Sequence, residues 1–229
     1  MKTFKGKKII VVIPARGGSK GILKKNIYPV CGKPLIYYAI KLGLDIFGEV
    51  IVSTDSQEIA DISKKYGAKV IIRPEELAED DSLVVDALKH VVNNVEKHDL
   101  LVLLEPTAPL RKKETVLSAV ETFIDNMDDY DCLLSVYKIE AVLGKIEDGY
   151  FVSEGTGSNR QKLKPFYEQT GAVYVFKPEL IEKRDMFGKR MFPFVISDIK
   201  ETINIDNLED IKIAEYYLFK EKLLSAKEK

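Results

Sequence analysis

The sequence predicts an α/β fold with a mostly parallel sheet, and two observations carry this prediction. Apolar runs of strand length at residues 9–13, 49–53 and 99–104 alternate with segments of helical periodicity. Such alternation is typical of parallel strands that are joined by right-handed helical crossovers. The length of 229 residues suits one domain. We therefore expect a single domain over residues 1–229, with residues 138–170 as an insertion.

The first strand leads into a glycine-rich, basic loop. Pro14 ends the apolar run, because proline cannot donate to a sheet ladder, and the loop at residues 15–26 then carries three glycines, a serine and several cations. Glycine lets a ligand approach the backbone closely, and exposed N–H groups with fixed positive charge can hold anionic oxygens. The composition alone fits a phosphate-binding loop and a solvated turn equally well. The spacing matches neither a Walker A loop nor a dinucleotide-binding fingerprint.

The rest of the chain divides into strands and helices by the same periodicity. The predicted strands lie at 49–53, 69–72, 99–104, 131–136 and 170–176, and the predicted helices lie at 33–44, 58–66, 83–95, 112–126 and from 206 onwards. Lys33 and Pro34 are expected to open the first of these helices, since proline is tolerated in a first turn. Asp55 precedes the second, and we expect it to cap that helix rather than to take part in catalysis. Short alternating segments between glycines predict a hairpin within residues 138–170.

The composition of the chain limits the cellular locations and the classes of binding partner to be expected. The formal net charge is −1 and the sequence pI is about 6.2, so no general basic character points to nucleic acid or an anionic membrane. No apolar stretch has the length of a signal peptide core or a membrane span. Cys31 and Cys132 show neither metal-ligand spacing nor a disulfide framework, which fits a reducing cytoplasm. We expect a cytoplasmic protein without a nucleic-acid or membrane partner, in which His90 and His98 are structural.

Five strings in the chain, in the same order, resemble the acylneuraminate cytidylyltransferases, which activate sialic, legionaminic and pseudaminic acids. These strings are Ile-Pro-Ala-Arg-Gly-Gly-Ser-Lys-Gly with a following Lys-Asn, Ser-Thr-Asp, Arg-Pro with a following Leu-Ala, Glu-Pro-Thr-Ala-Pro-Leu-Arg, and Asn-Ile-Asp. The resemblance covers residues 9 to about 212. It implies a three-layer, Rossmann-like nucleotidyltransferase fold with a dimerisation hairpin at 138–170, and hence a homodimer. It also implies transfer of CMP from CTP to the anomeric hydroxyl of a sialic acid-like 2-keto-3-deoxy sugar acid, with Mg²⁺ as cofactor and pyrophosphate as the second product.

The resemblance implies roles for individual residues. The residues expected to bind the nucleotide are Ala15, Arg16, Gly17, Ser19, Lys20, Lys25 and Asn26, with Asp80 and Ser82 beside the base. The residues expected to bind the sugar acid are Glu105, Thr107, Lys145, Arg160, Thr170 and Tyr174. The expected metal ligands are Asp206 and Asn204, and the expected catalytic residues are Arg16, Lys20, Lys25 and Asp206. Nucleotidyl transfer depends mainly on positioning and charge neutralisation, which cations and a metal supply.

Three positions depart from the family pattern. Glu105 stands where the family usually has Gln, and an ionised carboxylate only accepts hydrogen bonds, so it favours a hydroxyl or amine on the ligand over the carboxylate of the sugar. Thr170 replaces an Asn. Asn204 replaces the first Asp of an Asp-x-Asp pair, and its carbonyl can still ligate magnesium without contributing charge. Asp206 is therefore the stronger metal candidate, and a helix N-cap is a second role that it fits.

Three alternatives stay open at the level of the sequence. The first is a cytidylyltransferase for Kdo or 8-amino-Kdo, although the loop of such enzymes normally carries Ser-x-Arg-Leu-Pro. The second is a transferase for another nucleotide, whose loop usually follows Gly-Gly-x-Gly-x-Arg. The third is a non-catalytic nucleotide-binding relative, which the three departures keep open. The intact basic loop and Asp206 argue against this last alternative.

Overall fold

A central sheet organises the chain, and the computed structural model describes residues 3–153 and 165–227. Its strands are β1 (Thr3–Phe4), β2 (Lys7–Pro14), β3 (Pro29–Val30), β4 (Lys33–Pro34), β5 (Ile51–Thr54), β6 (Lys69–Ile72), β7 (Leu100–Leu103), β8 (Cys132–Ile139), β9 (Gly144–Glu147), β10 (Tyr150–Ser153), β11 (Phe166–Phe176) and β12 (Met191–Ile196). Its α-helices are α1 (Ile36–Phe47), α2 (Gln57–Lys65), α3 (Val84–Asn93), α4 (Lys113–Asn126), α5 (Pro178–Glu182) and α6 (Leu208–Lys227).

The sheet is mostly parallel, as predicted. Its strand order is β12-β8-β11-β7-β2-β5-β6, with β1 added on β2. Strand β2 is parallel to both of its neighbours β5 and β7, β6 is parallel to β5, and β12 is parallel to β8. Strand β11 runs antiparallel to β7 and β8. The carboxyl ends of β2, β5 and β7 therefore meet at one edge, which is where ligands bind in open α/β sheets.

Helices cover both faces of the sheet, which confirms the three-layer arrangement. Successive residues of β2 point to opposite faces. Ile9, Val11 and Ile13 join the core cluster of α1 and α4, whereas Ile10 and Val12 join the cluster of α3. All five side chains are buried. The uninterrupted apolar run of β2 is thus explained by burial on both sides, as is typical of a central parallel strand.

A third core cluster ties the C-terminal helix α6 to the loop that follows β2. It contains Ile22 of the loop, Val30 of β3, Ile205 of the segment before α6, and Ile211 in the first turn of α6. This packing places residues 204–206 beside the basic loop, although about 180 positions separate the two segments in the chain. Within the described ranges, the protein has no helix that combines the length and the apolar character needed to cross a membrane.

The prediction that Lys33 and Pro34 open the first helix is wrong. These residues form β4, which pairs with β3, and α1 begins at Ile36. The physical reason is the turn between the two strands, where Cys31 and Gly32 both have positive φ values and reverse the chain. Proline is compatible with such a short edge pairing, because its missing N–H is not needed there.

The hairpin predicted within residues 138–170 is present as the antiparallel pair β9 and β10. The flanking strands of the main sheet extend further than predicted, since Phe166 at the start of β11 pairs with Ile139 at the end of β8. The long pairing of β8 with β11 includes an irregularity between Gln169 and Tyr174. The strand predicted at 170–176 is therefore only the second half of β11.

Candidate active site

A cleft of about 370 Å³ opens beyond the carboxyl ends of β2, β5 and β7. Its walls come from the basic loop, from the segment before α3, from the residues after β7 and from the segment before α6. The lining residues are Pro14, Arg16, Lys25, Asn26, Arg73, Leu77, Ala78, Glu79, Asp80, Ser82, Leu83, Val84, Glu105, Pro106, Thr107, Asn204 and Asp206. Nine of the residues predicted for the site thus meet at one place, namely Arg16, Lys25, Asn26, Asp80, Ser82, Glu105, Thr107, Asn204 and Asp206.

The start of the basic loop is held by side chains from neighbouring segments. The backbone N–H of Gly17 donates to Asp55 Oδ1 at 3.0 Å, and Asn26 Nδ2 donates to the carbonyl oxygen of Arg16 at 2.9 Å. A Cβ at Gly17 would lie 3.0 Å from the Cβ of Ser56, so glycine permits this close approach. The prediction that Asp55 caps α2 is wrong, because Ser56 Oγ accepts the hydrogen bond of the capped N–H. Asp55 instead orients the loop.

Two loop cations converge on one carboxylate across the cleft. Arg16 Nη1 lies 3.0 Å from Asp80 Oδ1 and donates to the carbonyl oxygen of Glu79 at 2.9 Å. Lys20 Nζ lies 3.0 Å from Asp80 Oδ2. The hydrogen bond and the charge of Lys20, with Arg16, hold the pKa of Asp80 below its ordinary value. The segment before α3 is thereby linked to the loop, and the two cations face an anion.

Lys25 links the loop to the segment before α6. Its Nζ donates to Asp206 Oδ1 and to the carbonyl oxygen of Ile205, both at 2.9 Å. A Cβ at Gly21 would lie 2.5 Å from the carbonyl oxygen of Asp206, so the two backbones touch at this point. The Lys25 side chain is 18% exposed, whereas the Asp206 side chain is 69% exposed. The Asp206 carboxylate therefore reaches the cleft while one of its oxygens binds the ammonium group.

The N-cap of α6 is Asn207 and not Asp206. Asn207 Oδ1 accepts from the N–H of Asp210 at 3.0 Å, and Asp210 Oδ2 accepts from the N–H of Asn207 at 3.0 Å. This reciprocal pair is a capping box. The Asp206 carboxylate takes no part in it, which leaves that side chain available to the cleft.

A buried arginine lies behind the residues that follow β7. Arg111 Nη2 donates to the carbonyl oxygen of Glu105, and burial lowers the pKa of Arg111 to about 10, with the Glu105 carboxylate opposing that shift. Burial raises the pKa of Glu105, and the charges of Arg111 and Lys25 oppose this. A Cβ at Gly171 would lie 2.5 Å from Glu105 Oε2 and 3.8 Å from Asn204 Oδ1. A carboxylate and an amide thus line the floor of the cleft, and a buried guanidinium group lies behind them.

Arg73 is a cleft residue that sequence reasoning did not select. It follows β6, its side chain is buried, and its Nη2 lies 3.8 Å from Asp55 Oδ1. Its Nε has no hydrogen-bond partner among the described residues. Burial lowers the pKa of Arg73, and the charge of Asp55 acts against that shift. An arginine directly before a proline at the end of a strand was the available signal for this residue.

Several predicted sugar-binding residues lie outside the lining of the cleft. Thr170 is 4% exposed, and its hydroxyl donates to Ser135 Oγ at 2.7 Å inside the sheet. The Tyr174 hydroxyl accepts from Gln169 Nε2 at 2.9 Å, and burial raises its pKa to about 12. Lys145 lies on the hairpin strand β9.

The remaining predicted residues divide as follows. Ala15 is fully buried and Ser19 is part of the loop without lining the cleft. Ser82 lines the cleft, and its hydroxyl donates to the carbonyl oxygen of Glu76 at 2.9 Å. Thr107 accepts from the N–H of Ile205 at 2.8 Å through its carbonyl oxygen. Arg160 lies outside the described residues.

The oxygen groups of the cleft fit a divalent cation. The described residues contain no group of three or more His, Cys, Asp or Glu side chains that could hold a metal ion. Glu105, Asn204 and Asp206 nevertheless offer three oxygen donors to one cleft. Magnesium is typically held by one or two carboxylates, together with waters and substrate phosphates. The ammonium group of Lys25, bound to Asp206, already shows that this position accepts a positive charge.

Comparison with known proteins gives a consistent result. The profile of the family described as "Cytidylyltransferase" matches residues 10–223. An N-acylneuraminate cytidylyltransferase of Escherichia coli is 31% identical over 217 residues, which is 90% of this chain and 51% of that protein. The post-translational flagellin modification protein B of Campylobacter coli is 33% identical over 233 residues, which is 96% of this chain and 98% of that protein. The chain thus spans about half the length of the first relative and nearly all of the second.

The fold has a close counterpart among solved structures. The structure of a CMP:2-keto-3-deoxy-manno-octonic acid synthetase complexed with CTP matches with a TM-score of 0.72 and 19% identity. The match covers 93% of this chain and 99% of that chain. At this identity the likeness supports the fold, and it agrees with the three layers described above.

Proposed function

The chain belongs to the cytidylyltransferase family, and we propose that it transfers CMP from CTP to the anomeric hydroxyl of a sialic acid-like 2-keto-3-deoxy sugar acid. The observation that carries this proposal is the cleft beyond β2, β5 and β7, where a basic glycine-rich loop faces the Asp206 carboxylate. This arrangement supplies the two requirements of nucleotidyl transfer, namely fixed cations for the phosphates and a carboxylate for a metal ion. The names of the relatives, which act on N-acylneuraminate in one case, support the class of acceptor.

The basic loop is suited to the triphosphate. Arg16, Lys20 and Lys25 carry the charge, and a Cβ at Gly18 would meet no atom within 4 Å, so the loop backbone is open to a phosphate at that residue. We place Ala15, Ser19 and Asn26 in the same role, with Asn26 acting through its hydrogen bond to the loop. Arg16, Lys20 and Lys25 also offset the negative charge of the departing pyrophosphate.

The segment before α3 is suited to the cytosine base. Asp80 and Ser82 line the cleft on that side, next to the buried Arg73. The unpartnered Nε of Arg73 needs a hydrogen-bond acceptor, and the carbonyl and ring nitrogen of cytosine are acceptors. An exocyclic amine on the base would in turn suit a backbone carbonyl such as that of Glu79.

The sugar acid is expected to occupy the end of the cleft near the residues that follow β7. Glu105 and Thr107 line this region. Thr170 and Tyr174 lie in β11 behind it, so we assign them to shaping the pocket through the sheet. Lys145 lies on β9 of the hairpin, and we propose that it contacts the sugar acid. We propose the same contact for Arg160, which lies outside the described residues.

The reaction is an in-line displacement at phosphorus. The anomeric oxygen of the acid forms a bond to the α-phosphorus of CTP, the bond to the β-phosphate oxygen breaks, and the proton of the hydroxyl leaves to solvent. We propose Mg²⁺ as the metal, held by Asp206 with Asn204. When bound, the ion polarises the α-phosphate and offsets its charge. Arg16, Lys20 and Lys25 orient the triphosphate, and orientation of the reacting groups is itself a large part of the rate enhancement.

The proposed reaction is tested by pyrophosphate release from CTP against a panel of acids. The panel contains N-acetylneuraminate, Kdn, legionaminate, pseudaminate, Kdo and 8-amino-Kdo. We expect release that requires CTP, a divalent cation and one acid of the sialic type. Release with Kdo or 8-amino-Kdo alone would favour the eight-carbon alternative, and no release with any acid would contradict the proposal.

Two adjacent lysines give a matched pair of variants for the same assay. Lys25 binds Asp206 in the cleft, whereas Lys24 pairs with Glu58 of α2 outside it. We expect Lys25→Met to lower kcat/KM by about 100-fold, because a charge that stabilises the transition state is lost. Lys24→Met should stay within about twofold of the native value, as expected for a surface ion pair. Equal losses in the two variants would contradict the assigned role of Lys25.

We propose that the enzyme is a cytoplasmic homodimer joined through the hairpin of β9 and β10. The hairpin exposes large apolar side chains, with Ile146 at 80%, Tyr150 at 76% and Phe151 at 62%. Such clustered exposure is typical of an interaction surface. We expect Ile146→Lys to give a monomer in sedimentation velocity, whereas Ile72→Lys at the end of β6 leaves the assembly unchanged. A dimer that survives Ile146→Lys would contradict the assignment.

A further inference from the structure

A buried glutamate joins the segment before α6 to the start of α4. Glu201 belongs to the short 3-10 helix Ile199–Thr202, and it is only 3% exposed. Its Oε2 accepts from the backbone N–H of Lys112 at 2.8 Å, and its Oε1 accepts from the Thr115 hydroxyl at 2.9 Å. Burial of a carboxylate is costly unless both oxygens find donors, and here both do. The side chain is therefore a link between two segments that are distant in the chain.

The link lies at the N-terminus of α4, where a carboxylate is favourable. Lys112 is the N-cap residue of α4, and within the described part of the chain its own side chain makes no capping hydrogen bond. The first turn of a helix has N–H groups without helical partners and a partial positive charge. Glu201 supplies the acceptor from outside the helix. Lys112 Nζ in turn donates to Asp198 Oδ2 at 2.7 Å, directly before the 3-10 helix.

A second link holds the same segment a few residues further on. The backbone N–H of Ile205 donates to the carbonyl oxygen of Thr107 at 2.8 Å. Asn204 and Asp206, on either side of Ile205, line the cleft. Three residues separate Glu201 from Ile205. Because so short a stretch has little freedom between two fixed points, the place of Asn204 and Asp206 in the cleft depends on both links.

The Glu201 carboxylate acts at a distance from any ligand of the cleft. It is not among the described residues that line the cleft, and its two oxygens are bound to the start of α4. Its influence on the cleft therefore passes through the backbone of residues 202–206. The length of the side chain, which fixes how closely this backbone approaches α4, is the property that matters.

We propose that Glu201 is a positioning residue, which sets the place of Asn204 and Asp206 in the cleft through its contact with the start of α4. This inference rests on the proposed function, in which these two residues hold the metal ion. Groups that orient metal ligands affect metal affinity although they do not touch the metal. The reach of the Glu201 side chain, and not its charge, sets that affinity.

Two variants separate reach from charge. Glu201→Asp keeps the charge and is shorter by one methylene group. Glu201→Gln keeps the length and loses the charge. Its amide oxygen can accept from the N–H of Lys112, and its amide N–H can donate to the Thr115 hydroxyl, which is able to accept. A third variant, Thr115→Val, removes one of the two donors and leaves the glutamate in place.

Asp131 offers a matched control at the opposite edge of the sheet. Its Oδ2 accepts from the backbone N–H groups of Lys189 and Arg190, both at 2.9 Å. This carboxylate likewise joins two distant segments, namely the starts of β8 and β12. Asp131→Ala therefore removes a structural link of the same kind away from the cleft, and it should lower the thermal stability without a change in metal affinity.

Two binding measurements are made on each folded variant. The first is Mn²⁺ affinity in the presence of CTP, read from the free Mn²⁺ signal by electron paramagnetic resonance. The second is CTP affinity without metal, measured by isothermal titration calorimetry in the presence of a chelator. Circular dichroism and thermal unfolding verify that each variant is folded. A role in stability alone would not separate the two affinities.

The expected result is a loss of metal affinity that follows the reach of the side chain. Glu201→Asp should weaken Mn²⁺ binding by about tenfold, as loss of an orienting contact does. Thr115→Val should weaken it by about threefold, because one of the two contacts remains. Glu201→Gln should stay within about threefold of the native affinity, and Asp131→Ala within about twofold.

CTP affinity without metal should stay within about twofold of the native value in all four variants. The reason is that Arg16 and Lys20 of the basic loop are held by Asp80, on the other side of the cleft from Glu201. A loss of CTP affinity equal to the loss of Mn²⁺ affinity in Glu201→Asp would show a general disturbance of the cleft, and it would overturn the inference.

Three further results would overturn it. Glu201→Asp could leave Mn²⁺ affinity within about twofold, Glu201→Gln could weaken it as strongly as Glu201→Asp, or Asp131→Ala could weaken it equally. Native protein that releases pyrophosphate while its variants show any of these results would keep the proposed function and lose only this inference. Native protein that binds no Mn²⁺ in the presence of CTP would lose both.

Discussion

Replacement of Arg111 tests whether the floor of the cleft is held by two opposed buried charges. The Arg111 side chain is buried, and its Nη2 donates to the carbonyl oxygen of Glu105. Its Nε and Nη1 have no hydrogen-bond partner among the described residues. Burial lowers the pKa of Arg111 to about 10, and the Glu105 carboxylate is the main influence that opposes this shift. The Arg111→Met variant removes the charge while keeping most of the length of the side chain.

Two opposed contributions set the size of the effect. Removal of one partner of a directly paired, buried ion pair costs about 3–5 kcal/mol, and this is the upper limit for the longer-range attraction between Arg111 and the Glu105 carboxylate. Removal of the two unpartnered donors returns part of that cost, since each unsatisfied buried donor costs about 1 kcal/mol at the lower end of its range. We expect the first contribution to be the larger, so that Arg111→Met lowers the free energy of unfolding by about 2 kcal/mol. In a Glu105→Gln background no charge is left uncompensated, so Arg111→Met should cost less than about 0.5 kcal/mol.

The measurement is urea unfolding of the native protein, the two single variants and the double variant, followed by circular dichroism. The four proteins should share one m-value, because the surface exposed on unfolding is the same. The coupling between the two substitutions should be about 1.5 kcal/mol or more, which lies within the range seen for residues in contact. An equal cost of Arg111→Met in both backgrounds would show that Glu105 is not the opposing charge, and the reasoning would fail.

Three further predictions address other parts of the molecule. Asp80→Asn should tighten CTP binding by about three- to tenfold in isothermal titration calorimetry, because the loop cations no longer face a competing carboxylate, and the gain should shrink in high salt; weaker binding would contradict this. Burial lowers the pKa of His98 from its ordinary value near 6.5, so the unfolded state takes up a proton first and the native protein should lose stability as the pH falls below about 7. A His98→Leu variant should give a flatter profile of unfolding free energy against pH, and an unchanged slope would refute this. Burial raises the pKa of the Cys132 thiol to about 12. In a thiol-reaction assay of the folded protein, only the part-exposed Cys31 should therefore react. Equal reaction rates of the two cysteines in the folded protein would contradict this.

The fold was largely predictable because burial on two faces leaves a strong signal in the sequence. The run at residues 9–13 predicts a central strand, and the structure places it between β5 and β7. The error at the start of the first helix originates in a local turn. Cys31 and Gly32 have positive φ values and reverse the chain, so that Lys33 and Pro34 form a strand. Hydrophobic periodicity gives no sign of such a turn. The geometry of a turn depends on the φ values of a few residues, whereas hydrophobic periodicity is a signal that many residues share.

The meeting of Arg16, Lys25 and Asp206 in one cleft was predictable, because each of them stands in a recognisable string of residues. The partners that hold them were not predictable, because they depend on which distant segments the sheet brings together. Asp55 orients the loop at Gly17 although local sequence favours a cap. These contacts are set by tertiary structure and leave no local pattern.

The ion pairs of Arg16, Lys20 and Lys25 hold the basic loop in order before a ligand binds. Arg16 and Lys20 share Asp80, and Lys25 binds Asp206. Under the proposed function, a triphosphate that enters the cleft exchanges one anion for another at cations that are already in place. The same exchange has a consequence for the metal. When Lys25 turns to a phosphate, the carboxylate of Asp206 loses its cation and becomes a better ligand for a divalent ion. The nucleotide and the metal should therefore favour each other by an equal factor, as thermodynamic linkage requires.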